Sequence, residues 1–79
     1  MEFFVCPCPA TGRVRLDGED QGPNKNADGV LLPKQCNAGR HRISLRCVDG
    51  KACIPPQVDR VIANTDPILP LEVPFQCAD

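Results

Sequence analysis

The chain has 79 residues, with six cysteines, nine prolines, three phenylalanines and no tryptophan or tyrosine, and its formal net charge is −1. This length allows one domain, predicted to span residues 1–79, and near-neutral charge gives no bulk attraction to nucleic acid or to an anionic membrane. The apolar runs are only a few residues long, so no membrane span is predicted.

The first half of the chain predicts short strands separated by turns. Residues 2–8 are expected to form a strand with Phe4 and both early cysteines on one face. Residues 13–17 read Arg-Val-Arg-Leu-Asp, an alternation that directs the apolar side chains inward and both arginines outward. Asp17-Gly18 is typical of a hairpin turn. Residues 18–29 have no periodicity and are predicted to be a polar loop.

The second half carries the clearest strand pattern. Residues 41–48 alternate apolar and polar side chains, and Asp49-Gly50 follows as a hairpin turn would. Residues 57–63 and 68–76 predict two further strands. About six or seven short strands and no helical period indicate an all-β fold, a small disulfide-stapled antiparallel β-sandwich.

Proline spacing gives a prediction about sheet edges. Pro7 and Pro9 share one parity along the first predicted strand, and Pro70 and Pro74 share one along the last. Proline lacks an N–H group, so each of these strands cannot donate hydrogen bonds along one side. Both terminal strands are therefore expected at sheet edges, where prolines also oppose aggregation.

The cysteines predict a crosslinked protein. A chain this short buries too little surface for a wide stability margin, and disulfides are the usual supplement in oxidising compartments. The disulfide candidates are Cys6, Cys8, Cys36, Cys47, Cys53 and Cys77. Six cysteines permit 15 connectivities. The spacing favours Cys47–Cys53, and a further plausible pattern joins Cys6 or Cys8 to Cys36 and the other to Cys77.

A metal site is the rival interpretation of the same residues. Structural zinc sites favour Cys-x₂₋₄-Cys knuckles, whereas the only close pair here is Cys-x-Cys. A site made from Cys6, Cys8, Cys36 and Cys77 is geometrically conceivable, but no metal and no other cofactor is predicted.

The oxidised state predicts an extracytoplasmic location: periplasmic, cell-surface, secreted or in a virion. The N-terminal residues lack the basic region and apolar stretch of a signal peptide. Three explanations remain open: a domain from a longer exported protein, a virion component that oxidises after lysis, or reduced cysteines on a metal.

Four arginines predict a binding face. Arg13, Arg15, Arg42 and Arg46 all alternate onto the outward sides of their strands. If the two strands share a sheet, the guanidinium groups form one cationic face suited to carboxylate, phosphate or polyanionic glycan. The alternative is a solvated outer face balanced by nearby carboxylates. The single histidine, His41, lies in no nucleophile motif, so no catalytic residue and no enzymatic activity are predicted.

Two segments resemble a known family. Residues 5–22 (VCPCPATGRVRLDGEDQG) resemble the opening of a PEGA domain, with a strand, a proline turn, a short alternating strand and Asp-Gly. Residues 37–45 (NAGRHRISL) resemble its second hallmark, in which a glycine and a histidine open a strand. The alternation over 69–75 also fits. The turn order Pro-Ala-Thr-Gly, the insertion after Pro23 and the six cysteines depart from the family pattern.

The resemblance implies a β-sandwich module on exported or surface-attached proteins, without catalytic residues. The leading hypothesis is a non-catalytic extracytoplasmic interaction, tethering or spacer module that contacts a protein, an anionic surface or a glycan. One alternative is a small virion or surface-layer accessory protein docking on a larger assembly. Another is a secreted inhibitor scaffold presenting Asp49-Gly50-Lys51 from the loop 47–53.

Overall fold

The computed structural model describes residues 1–47, 53–54 and 56–77. Over these residues the fold is all-β, as the sequence predicts, and no segment of them is helical. The strands are β1 (Glu2–Val5), β2 (Gly12–Leu16), β3 (Glu19–Pro23), β4 (Lys34–Cys36), β5 (Gly39–Cys47), β6 (Cys53–Ile54), β7 (Val58–Ile62), β8 (Leu71–Glu72) and β9 (Gln76–Cys77). The Asp49-Gly50 turn and the loop 47–53 that would present it fall largely outside the described residues.

One main sheet has four antiparallel strands in the order β3-β2-β5-β7. The predicted alternation is confirmed in β2, where Val14 and Leu16 are buried and both arginines are exposed. It is also confirmed in β5, whose residues Ile43, Leu45 and Cys47 are buried. The hydrophobic period of two residues therefore fixes which side of each strand faces the interior.

The Asp17-Gly18 turn forms as predicted, but the loop after it does not. Asp17 and Gly18 have φ of 52° and 88°, the left-handed values that a two-residue hairpin turn requires. The chain then runs back along β2 as β3, so the prediction of a polar loop over 18–29 is wrong for Glu19–Pro23. This strand has no apolar alternation because it lies at the sheet edge and is largely solvated.

The second main sheet has the order β4-β1-β8 and corrects the prediction from the prolines. β1 lies in the middle of this sheet, whereas β8 lies at its edge as predicted. β8 runs parallel to β1, so the prediction of an antiparallel fold is wrong for this pair. Pro7 follows β1, and its missing N–H is not needed because the segment after β8 donates its own N–H groups to carbonyl groups of residues 5 and 7. The N–H of Val73 donates to the Val5 carbonyl at 2.9 Å, and the N–H of Phe75 donates to the Pro7 carbonyl at 2.8 Å.

The C-terminal segment divides into two short strands. The alternation predicted over 68–76 places Val73 and Phe75 in the core, but Leu69 is exposed in the bend that precedes β8. β9 pairs with β6 in a separate two-stranded ribbon, which sets Cys53 opposite Cys77. The predicted strand over 57–63 is confirmed as β7.

The core lies between the two main sheets. Its largest fully buried apolar side chains come from four strands and the segment after β8, and they are Phe4, Val14, Ile43, Ile62 and Val73. Burying one such side chain contributes roughly 1.5–3 kcal/mol, so these residues supply much of the driving force for folding. Five buried cysteines complete this interior.

A buried asparagine connects the two main sheets. Asn24 is only 1% exposed, and its side-chain amide donates to the Cys6 carbonyl at 2.9 Å. Its side-chain oxygen accepts the N–H of Gly12 at 2.9 Å, and its own N–H donates to the Gly12 carbonyl at 2.9 Å. The Leu32 N–H donates to its carbonyl at 2.8 Å. One residue thus satisfies backbone groups from the exit of β1 and the start of β2.

Replacing this asparagine tests its contribution. Asn24→Ala leaves the Gly12 N–H and the Cys6 carbonyl buried without partners, and each such group costs about 1–3 kcal/mol. We expect a loss of about 2–4 kcal/mol in the free energy of unfolding, measured by urea denaturation. Asn37→Ala, at an exposed asparagine, is the matched control. Equal stability of the two variants would contradict the role given to Asn24.

Candidate functional site

The predicted arginines lie on one sheet face. β2 and β5 are adjacent and antiparallel, with Arg13 opposite Arg46 and Arg15 opposite Ser44. Arg42 lies further along β5, on the same exposed side. Arg40 also belongs to this side, and sequence reasoning missed it although its position two residues before Arg42 fits the same alternation. We call this side, with its five arginines, the arginine face.

Two acidic side chains partly balance the arginine face. Arg13 pairs with Asp20 of β3, with its Nη2 2.8 Å from the carboxylate, and this pairing is the main reason that the pKa of Asp20 is lowered. Arg42 donates to Asp59 of β7 at 3.3 Å. With the Asp17 carboxylate, which lies on the same side, five arginines against three carboxylates leave an excess of two positive charges before His41 is counted (5 − 3 = 2).

A shallow depression runs across the middle of the arginine face. Its lining combines three guanidinium groups with a hydroxyl, an amide, an imidazole, a glycine and two carboxylates: Arg15, Arg40, Arg42, Ser44, Gln57, His41, Gly18, Asp17 and Asp59. The guanidinium, hydroxyl and amide side chains offer hydrogen-bond donors, whereas the two carboxylates only accept. Converging donors with excess positive charge can hold a carboxylate, sulfate or phosphate group by charge-assisted hydrogen bonds.

The single histidine secures one end of this depression. His41 Nδ1 lies 2.7 Å from Asp17 Oδ2, and its Nε2 lies 2.6 Å from the Asn37 carbonyl. Both partners are acceptors only, so both ring nitrogens donate when the imidazole is protonated. The Asp17 carboxylate, and secondly the Asn37 carbonyl, raise the pKa of His41. His41 thus hydrogen-bonds beside the Asp17-Gly18 turn.

The Asp17 carboxylate is the centre of this arrangement. Its Oδ1 accepts the Arg42 N–H at 2.9 Å, and the Asp17 N–H donates to the Arg42 carbonyl at 2.7 Å. The Arg42 N–H, followed by His41, holds the pKa of Asp17 below its usual value. The turn between β2 and β3 is thereby fixed against β5, beside the arginine face.

The protonation of His41 predicts a pH-dependent stability. Because the folded pKa is above the unfolded value of about 6.5, the stabilisation is complete below pH ~6.5 and is lost as pH rises through the folded pKa. We expect the urea midpoint of the wild-type chain to fall between pH 6 and 9 by more than that of His41→Gln. Parallel pH profiles for the two chains would contradict the protonated histidine.

The five cysteines whose side chains the structure describes fall into two groups. Cys8, Cys47 and Cys53 are buried together with their Sγ atoms all within 4.8 Å of one another, and we call them the cysteine cluster. The Sγ atoms of Cys47 and Cys53 are 3.1 Å apart, longer than the ~2.05 Å of a disulfide bond. The favoured Cys47–Cys53 bond is therefore not formed in the structure, and crosslinking by this pair stays a prediction.

The other two described cysteine side chains lie away from the cluster. Cys36 lies opposite Glu2 in the pairing of β4 with β1. Because Glu2 is four residues before Cys6, Cys36 is roughly 13 Å from Cys6 at ~3.3 Å per residue. The Cα atoms of a disulfide are at most about 7 Å apart, so the pattern that joins Cys6 or Cys8 to Cys36 is wrong. Burial raises the pKa of the Cys6 thiol to about 12 and also raises that of Cys36.

Comparison with known proteins adds no relative: no family model, no curated protein and no solved structure matches this chain. The similarity to PEGA domains therefore remains an interpretation of the sequence motifs. In the part of the chain that the structure describes, there is no helix long and apolar enough to cross a membrane.

Proposed function

We propose that this chain is a non-catalytic interaction module of the PEGA type, stabilised by disulfides and working outside the cytoplasm. Its contact surface is the arginine face, and its partner is a protein or glycan that presents anionic groups. The observation that carries this proposal is the adjacency of β2 and β5, which brings arginines from two separate sequence segments onto one exposed side.

The arrangement of charge supports a localised binding surface. The whole chain carries a net charge of −1, so the excess of positive charge on the arginine face is not a property of the molecule as a whole. Arg15 lies within the depression, and its Nη2 donates to the Gly18 carbonyl at 3.1 Å, which leaves its other guanidinium donors for a ligand. Guanidinium groups suit planar anionic partners because they donate two parallel hydrogen bonds.

The engagement of the histidine supports a non-catalytic role. A general base needs a ring nitrogen within reach of a substrate proton. Both nitrogens of His41 are instead held against Asp17 and Asn37 at 2.7 and 2.6 Å. The hydrogen bonds of this single histidine thus stabilise the fold beside the arginine face.

Retention on a heparin column tests the arginine face, with heparin as a sulfated polysaccharide probe. We expect Arg15→Glu to weaken binding by about tenfold or more, because one charge-assisted hydrogen-bonded pair contributes about 1.5–3 kcal/mol. The variant should elute at lower NaCl than the wild-type chain, and the wild-type Kd should rise steeply with salt.

Arg60→Glu is the matched control for this experiment. Arg60 lies on β7 opposite His41, on the other side of the same sheet, and is exposed. Both variants change the net charge from −1 to −3, since each replaces one positive charge with one negative charge (−1 − 2 = −3). An equal loss of retention in the two variants would mean that bulk charge, not the arginine face, binds the probe.

A further inference from the structure

The cysteine cluster lies at a junction of three chain segments. Cys8 follows β1, Cys47 ends β5, and Cys53 begins β6, so their sulfurs join parts of the chain that are distant in sequence. All three are buried, at 6%, 2% and 4% exposure respectively. Cysteines whose sulfur atoms lie within 4.8 Å of one another are close enough in the fold for disulfide pairing.

The fourth cysteine of this region is Cys77. In the antiparallel ribbon it is the residue directly opposite Cys53. Cα atoms of directly opposed residues in such a ladder are about 4.5–5.5 Å apart, which falls within the ~4.4–6.8 Å range of disulfides. The backbone register thus places residue 77 directly opposite one member of the cysteine cluster.

Cys6 and Cys36 differ from these four. Both are buried, and neither has its Sγ atom within 4.8 Å of all three sulfurs of the cysteine cluster. Cys36 lies opposite Glu2, at the start of β1. Because Glu2 is six residues before Cys8, Cys36 is roughly 20 Å from the cysteine cluster at ~3.3 Å per residue.

We propose that the oxidised protein contains two disulfides, formed only among Cys8, Cys47, Cys53 and Cys77, and that Cys6 and Cys36 stay reduced. This reduces the 15 connectivities of six cysteines to the three that four cysteines allow. Two of the three tie the segment after β1 or the end of β5 to the C-terminal ribbon, and the third, Cys8–Cys47 with Cys53–Cys77, joins those two segments to each other and the two strands of the ribbon to each other. The inference rests on the oxidising compartment of the proposed function.

The oxidation needs a disulfide donor, for which we use oxidised glutathione. For each bond, two cysteine thiols of the protein lose two protons and two electrons as one S–S bond forms. The S–S bond of one oxidised glutathione breaks and takes up these two protons and two electrons, giving two glutathione thiols. Two such exchanges remove four hydrogens from the protein.

Mass spectrometry of the full chain tests this assignment. The reduced chain is refolded in a mixture of reduced and oxidised glutathione, and thiols are then blocked with iodoacetamide under denaturing, non-reducing conditions. We expect the alkyl label on Cys6 and Cys36 alone, and the other four cysteines in crosslinked peptides. The variant Cys6→Ala/Cys36→Ala should lose the same four hydrogens on oxidation and take up no label.

Several results would overturn the assignment. A crosslink that contains Cys6 or Cys36 would do so, as would loss of six hydrogens or alkylation of all six cysteines. Zinc bound in a one-to-one ratio after isolation without chelator, with six thiols released on denaturation, would mean that the cluster holds metal in place of disulfides. Heparin retention of Arg15→Glu against Arg60→Glu reports on the arginine face separately, so either idea can fail without the other.

Discussion

The fold depends on a single buried amide at the junction of its two sheets. A small sandwich must carry its chain from one sheet to the other, and each crossing removes backbone N–H and C=O groups from ladder pairing. The Asn24 side chain donates to Cys6 and accepts from Gly12, at the two ends of the crossing from β1 to β2. One side chain therefore pairs the backbone groups at both ends of this crossing, so that they are not left unpaired between the apolar faces of the sheets. No buried side-chain polar atom lacks a partner in the described residues.

The sequence predicts the strands that have one apolar side and one polar side, and it fails to predict a strand whose two sides are both polar. In β2 and β5 the buried residues alternate with arginines, so hydropathy reports both the strand and its orientation. β3 contains no strongly apolar residue, because both of its sides are largely solvated, and only its pairing with β2 makes it a strand. Asn24 gives no sequence signal at all. Its partners Gly12 and Cys6 are 12 and 18 residues away, and no local pattern encodes such contacts.

The candidate site was predictable to the same extent. Alternation shows that the arginines point outward, but only the adjacency of β2 and β5 brings them onto one surface. The cysteines illustrate the opposite case. Their number predicts crosslinking, yet the pairing depends on register, and the register of β1 with β4 removes Cys36 from the reach of the others. Composition thus indicates which contacts and bonds the side chains can form, and the strand order and register decide which side chains lie close enough to form them.

The position of β5 has a consequence for the energetics of recognition. This strand pairs with β2 over residues 43–47 and with β7 over 39–43, so its whole length is hydrogen-bonded on at least one side. The backbone beneath the guanidinium groups is already ordered before any ligand arrives. An anionic partner then has to restrict only side-chain rotamers, at about 0.5–1.5 kcal/mol for each immobilised arginine, and no loop has to fold around it. Association that needs so little ordering is expected to be fast, with affinity differences between ligands expressed mainly in their dissociation rates.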